Sequence, residues 1–103
     1  MNEHFIQNER LGIPLPHLEL DWEDYSEDTR ESILLYWESI RGKIPERIAE
    51  LEKEINLKQQ MLSEESDFQR SCQLNNEIAE LASIINDLWI WFRTNQVLSD
   101  KNQ

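Results

Sequence analysis

From Ile33 onward the apolar positions of this chain fall on a helical beat. Ile33, Trp37, Ile40, Ile44, Ile48, Leu51, Ile55 and Leu62 recur with a mean step of about 3.6 residues, and only Lys58 breaks the stripe. The pattern predicts a helix over about 27–62. Ser26 or Asp28 can cap its start, and Asp28 with Glu31 has the spacing of a capping box. Glu27, Asp28 and Glu31 also suit the positive end of the helix dipole. Pro45, in "RGKIPER", interrupts the run. Either the helix ends at Gly42 and restarts with Pro45 in its first turn, or it continues with a kink. No Ser, Thr, Asp or Asn stands before Pro45 as a cap, and the stripe keeps its phase. Both points favour a kinked, continuous helix.

"SEESD" (63–67) ends the stripe and supplies caps, so a turn is expected there. A second helix is predicted over about 66–95. Its seam reads Phe68, Ser71 or Cys72, Leu74, Ile78, Leu81, Ile85, Leu88 and Phe92, close to a strict heptad. Two long helices joined by a short loop lie antiparallel. With the turn near residue 65, Leu51 should face Ala79, Ile48 Ala82, Ile44 Asn86, and Trp37 Arg93. Residues 97–103 read as a frayed tail.

Ahead of the helices, residues 1–25 read as an extended arm. Pro14 and Pro16 hold their neighbours extended. Leu18, Leu20 and Trp22 alternate with Glu19 and Asp21, which gives one apolar edge. No second strand is evident with which to build a sheet. The expected fold is therefore all-α: a long antiparallel helical hairpin with an extended N-terminal arm.

The stretch "LWIWF" (88–92) strains that picture. Leu88, Trp89 and Phe92 share one broad helical face, Trp91 sits on its flank, and Ile90 points away. One partner helix can shield only one side. Three aromatics of about 200 Å² each, at about 25 cal/mol per Å², represent roughly 15 kcal/mol of gross transfer free energy. Left open, they exceed the patch that monomers usually tolerate. Two coverings are available. The arm can fold back with Leu15, Leu18, Leu20, Trp22 and Tyr25, or a second chain can complete a four-helix bundle with two-fold symmetry.

Charge narrows the partners. Acidic residues outnumber basic ones 21 to 10 over 103 residues, for a formal net charge of −11. Phosphate-binding proteins gain affinity from Lys and Arg, and anionic lipid surfaces attract the same residues. Neither nucleic acid nor a membrane is an expected partner. The apolar runs are far shorter than the ~20 residues of a bilayer span. Nothing at the start resembles a secretory signal, and one cysteine, Cys72, fits a reducing compartment. A cytoplasmic location is the expectation.

Chemistry finds few candidates. His4 and His17 are the only imidazoles, and both lie in the arm. The Glu-x-x-His pairs of a di-iron bundle are missing. Gly12 and Gly42 are too few for a phosphate cradle. Cys72, on an apolar helix face, reads as a small buried hydrophobe, since a reactive thiol needs a positive neighbourhood. Glu54 and Lys58 form a well-oriented i,i+4 pair. Asn75 lies near the seam edge, where an amide can fix register, although a plain exposed Asn fits as well. No catalytic residue, cofactor or metal is expected.

One stretch carries a resemblance. "DFQRSCQLNNEIAEL" (67–81), with "IAELEKEI" (48–55) upstream, is similar to the UVR motif. That motif is a short helical hairpin of bacterial excision-repair proteins and of some Clp-type unfoldases and their adaptors. Asp67 and Phe68 match its opening, Ser71 and Cys72 its small pair, and Leu74, Ile78 and Leu81 its apolar spacing. Gln69 departs from the motif's acid, Asn75 and Asn76 from its Arg-Asp pair, and the loop is about one turn longer. The resemblance implies that Asp67 caps the second helix, that Phe68 plugs the turn, and that the hairpin docks on another without catalysis.

The function expected is a non-catalytic interaction module, a small regulatory or adaptor protein that pairs with itself as a homodimer or docks on a partner helix. Its contact residues should be Leu18, Leu20, Trp22, Trp37, Trp89, Trp91 and Phe92. The competing expectation is an acidic decoy that occupies a basic, nucleic-acid-binding surface through Glu50, Glu54, Glu77 and Glu80.

Overall fold

The computed structural model describes residues 2–94. Two strands come first, β1 (Phe5–Asn8) and β2 (Ile13–Pro16), then a single 3-10 turn at Trp22–Asp24. Three helices follow: α1 (Glu27–Arg41), α2 (Ile44–Glu64) and α3 (Phe68–Arg93). The molecule is elongated, 59 × 26 × 21 Å. The expected tail, 97–103, lies outside the described residues.

Helix α1 starts where a cap was expected. Ser26 is extended, and its hydroxyl accepts the Thr29 N–H at 3.2 Å, which satisfies one orphan donor of the first turn. At the other end the chain bends without leaving helical space. Gly42 (φ −64°, ψ −19°) and Lys43 (φ −96°, ψ −7°) both stay right-handed. Pro45 has no N–H to offer the Arg41 carbonyl, and its ring crowds that oxygen. The ladder tightens accordingly, with the Lys43 N–H on the Ile40 carbonyl at 3.0 Å. Because the turn per residue is nearly kept, the apolar stripe crosses the bend in phase. Ile33, Trp37, Ile40, Ile44, Ile48 and Leu51 are all buried.

Helix α2 ends at Glu64, and α3 begins after three intervening residues. Asp67 caps it, accepting the Arg70 N–H at 3.0 Å. Helices α2 and α3 run antiparallel, with Lys58 reaching Glu77 at 3.0 Å. Expectation had placed Lys58 about five residues away, opposite Cys72, so the register is shifted by rather more than one turn at this end. The lysine that interrupts the stripe therefore sits on the seam with an acid for company, and it bonds there rather than to Glu54.

The arm is where sequence reading fell short. Residues 5–16 do form a sheet: Phe5 pairs with Pro16, Ile6 with Leu15, Gln7 with Pro14 and Asn8 with Ile13. The connection turns at Gly12 (φ +76°), a conformation few side chains adopt, and the Leu11 N–H bonds to Asn8 Oδ1 at 2.8 Å. Pro14 and Pro16 share one parity and His17, which donates to the His4 carbonyl at 2.8 Å, the other. The prolines thus occupy the strand's free edge, where no donor is needed and no further strand can add. Leu18, Leu20 and Trp22 do not continue as a strand. The Tyr25 hydroxyl accepts both the Glu19 and Leu20 N–H groups, at 3.0 and 3.1 Å, and turns the chain toward α1.

This hairpin packs back on the helices. Phe5 meets the Tyr36 ring edge-on at 4.7 Å, and Phe5, Leu11, Ile13 and Trp22 join one core with Trp37, Ile44 and Leu88. Trp37 is wholly buried, and among the described residues its indole N–H has no hydrogen-bond partner. Trp37→Ala is expected to cost about 3–5 kcal/mol by opening a cavity. Trp37→Phe, which loses no hydrogen bond, should cost about 1–2 kcal/mol. Urea unfolding of the two variants measures the gap; equal losses would contradict a purely space-filling role.

Candidate docking surface

The aromatic end is covered mainly from within. Trp91 packs edge-on against Trp37 at 5.5 Å. Trp89 packs against Phe92 at 5.5 Å, and the Arg41 guanidinium lies 5.1 Å from the centre of the Phe92 ring. Arg41 also donates to the Phe92 carbonyl at 3.0 Å, satisfying one of the acceptors that a helix C-terminus leaves unpaired. Trp22 and Trp37 are core residues, Trp91 and Phe92 are half-buried, and Leu18 is half-buried against the core. Of the expected contact residues only Trp89, 37% exposed, and Leu20, 52% exposed, face water substantially.

The seam also differs from expectation at α3's start. Leu74, Leu81, Ile84 and Leu88 are buried and Ile78 is half-buried, but Cys72, expected as a buried hydrophobe, is exposed; Asn75 is a plain exposed amide, the simpler of its two readings. Phe68, which the UVR resemblance makes a plug, is 79% exposed. The line that meets α2 is Leu74, Glu77, Leu81, Ile84 and Leu88. A second line, Asn75, Ile78, Ala82, Ile85 and Trp89, repeats at the same heptad spacing one step around the helix. Ala82 and Trp89 on this line are exposed, and Ile78 and Ile85 are half-buried. Together with Glu52, Ile55, Asn56 and Gln59 of α2, Ala82 and Ile85 form a shallow groove of about 420 Å³. Periodicity alone could have found this line; its resemblance to the true seam hid it.

The other flank of α3 is taken. Arg10, at the tip of the β-hairpin, reaches Glu80 at 3.0 Å, Asp87 at 2.7 Å and the Ser83 hydroxyl at 2.9 Å. Glu80, Ser83 and Asp87 fall on one side of the helix, where the Arg10 side chain spans them while Glu80 and Ser83 stay exposed. Arg47 fastens the same loop from α2, donating to the Leu11 carbonyl at 3.0 Å. A Cβ on Gly12 would come within 2.6 Å of Arg47 Nε, so the loop closes tightly on that side chain. Hydrogen bonds to Asp87 and then Glu80 hold the Arg10 guanidinium above its ordinary pKa. Glu77 is held below the usual carboxylate range, chiefly by the hydrogen bond from Lys58.

No group of three or more His, Cys, Asp or Glu among the described residues could hold a metal. No described helix is long and apolar enough to cross a membrane. Compared with models of protein families, with curated proteins and with solved structures, the chain matches none.

Two outcomes follow from the ion pairs. Arg10→Ala is expected to speed amide exchange at Ile6 and Ile13 while Leu51 and Leu81 keep their protection; unchanged strand exchange would contradict the clamp. Glu77 has a lowered folded-state pKa, so its stabilisation is present above the unfolded value and is lost as pH falls through the folded one. The stability gap between the natural chain and Glu77→Gln, read from urea midpoints, should be widest near neutrality and close on acidification. A gap that is flat with pH would refute the Lys58–Glu77 contribution.

Proposed function

We propose that this protein is a non-catalytic protein–protein interaction module that self-associates through the outer face of α3, two hairpins forming a four-helix bundle. The observation that carries this reading is the heptad line from Ile78 to Trp89, on which Ala82 and Trp89 are exposed and Ile78 and Ile85 half-buried. It lies on the flank of α3 opposite the one Arg10 holds. An apolar line at heptad spacing is what a helix presents to another helix, and Trp89 supplies the kind of aromatic anchor that dominates binding energy at interfaces. The UVR resemblance leads to the same reading, a hairpin docking on a hairpin.

An acidic decoy is less well supported. Of the four carboxylates it relies on, Glu50 is paired with Arg47, Glu77 with Lys58 and Glu80 with Arg10. Those charges are already partly neutralised within the chain.

Sedimentation velocity on the full chain tests the proposal. The mass should rise toward two chains with concentration, and Ala82→Glu, an exposed substitution that leaves the core alone, should hold the chain monomeric with unchanged helicity. A monomer at all concentrations up to about 1 mM, where binding falls below about 4 kcal/mol, would refute it.

A further inference from the structure

We propose that the outer edge of β1 takes up an extended, basic peptide segment of a partner protein as a third strand, parallel to β1. The site shares no residue with the α3 line, and the proposal stands or falls apart from self-association.

The two edges of the hairpin differ. His17 donates to the His4 carbonyl at 2.8 Å, and the register pairs Ile6 with Leu15 and Asn8 with Ile13. An antiparallel ladder bonds alternate pairs. The backbone groups of His4, Ile6 and Asn8 therefore turn toward β2, and those of Phe5 and Gln7 turn outward. On β2 the outward positions are Pro14 and Pro16, which have no N–H to give. Prolines blunt an edge, and an edge without them is a template for another strand. Strand β1 has no proline, and its centre stands in water: Ile6 and Gln7 point to opposite faces, yet both are exposed. Strand addition at such an edge is a recurring mode of peptide recognition. It also suits the hairpin, because two strands are marginal by themselves.

The bonding groups select the direction. The Phe5 N–H is already given to the Asn2 carbonyl at 3.1 Å. The Phe5 carbonyl and the Gln7 N–H and carbonyl remain, with no partner among the described residues. A parallel strand uses all three. One of its residues, level with Ile6, donates to the Phe5 carbonyl and accepts from the Gln7 N–H, and the residue two further on donates to the Gln7 carbonyl. An antiparallel strand would instead aim a carbonyl at the Phe5 N–H, which is taken. A second copy of β1 cannot build the parallel ladder. A two-fold axis across the strands makes them antiparallel, and one along them sets N–H against N–H.

Charge selects the sequence. Glu3 and Glu9 flank the edge, exposed and without an ion pair among the described residues. Arg10, the cation next to them in the chain, is held by Glu80 and Asp87. A strand with an apolar residue beside Ile6 and Lys or Arg toward its ends meets this arrangement, and the net charge of −11 draws it in.

The probe is the capped peptide acetyl-Lys-Val-Val-Val-Lys-amide, titrated into the isotope-labelled full-length chain and followed by NMR. The Gln7 amide should shift and its exchange should slow. Gln7→Pro removes an N–H that the hairpin itself does not use, after a residue that is already extended, and should weaken binding about tenfold. Gln7→Ala should bind as the natural chain does. A spin label at the peptide's N-terminus should broaden Phe5 more than Asn8, and one at its C-terminus the reverse. Unslowed Gln7 exchange at millimolar peptide overturns the proposal. So does equal binding by a folded Gln7→Pro chain, the result expected if acidic helix faces alone hold the peptide. The opposite spin-label pattern overturns the parallel direction, and with it the exclusion of a second copy.

Discussion

Two helices lying side by side hide one stripe of each from water and leave the remainder open. That limit governs this molecule. From Arg41 toward its N-terminus the chain carries Tyr36 and Trp37, and near the end of α3 it carries Trp89, Trp91 and Phe92. This is more apolar surface than one seam can take. The β-hairpin supplies the missing layer at that end, placing Phe5, Leu11 and Ile13 in the core. The other end, toward the Glu65–Asp67 turn, has no such layer, and its seam is closed by Leu74 and an ion pair instead. Uneven covering explains the elongated shape: a three-layered body with a two-helix extension.

The bend at Gly42 and Lys43 makes that body possible. A straight helix from Glu27 to Glu64 would hold Trp37 and Leu51 on one line, with α3 alone to cover both. A bend that keeps right-handed dihedrals preserves the stripe while changing the direction of the axis. It also sets Arg41 beside the end of α3, where its guanidinium meets the Phe92 carbonyl and ring together. Pro45 is thus compatible with a nearly continuous helix because the lost bond falls at a place where the chain turns anyway.

Much of this was legible in the sequence. Period 3.6, the cap at Ser26 and the cap candidates in 63–67 gave the start of the first helical stretch and the turn after it to within two residues. That first stretch is two helices and not one, although the unbroken phase across Pro45 gave the bend. The expected end of the second helix, at residue 95, lies outside the described residues. The sheet was not legible, for a physical reason. Strand β1 buries only Phe5 of its four residues fully, so Phe5–Asn8 shows no alternation, and its stability comes from packing on Tyr36 rather than from any pattern of its own. The alternation that was visible, at Leu18 to Trp22, belongs to a segment shaped by Tyr25. On α3 the difficulty was the reverse. The helix has two heptad lines one step apart, and periodicity cannot say which one faces α2. Lys58 decides the matter, since a lysine on the seam needs an acid, and Glu77 rather than Ile78 must then turn inward. Cys72 and Asn75 are carried out to solvent by the same rotation.

The rotation also bears on the distribution of charge. With Glu77 drawn to the seam by Lys58, and Glu80 and Asp87 drawn to the arm by Arg10, every carboxylate of α3 is spent on one flank or the other. The remaining face is left with Ile78, Ala82, Ile85 and Trp89 and nothing ionised among them. Had the other line faced α2, Ile78 and Ile85 would be buried, and Leu74, Leu81 and Leu88 would take the outer face. The half-buried Lys58–Glu77 pair thus agrees with both the register of the hairpin and the residues that α3 presents outward. In a chain otherwise strongly acidic, a neutral and partly apolar strip is stable in water only to the extent that its area is small, and a second such strip laid against it removes that area without bringing unpaired α3 charges together.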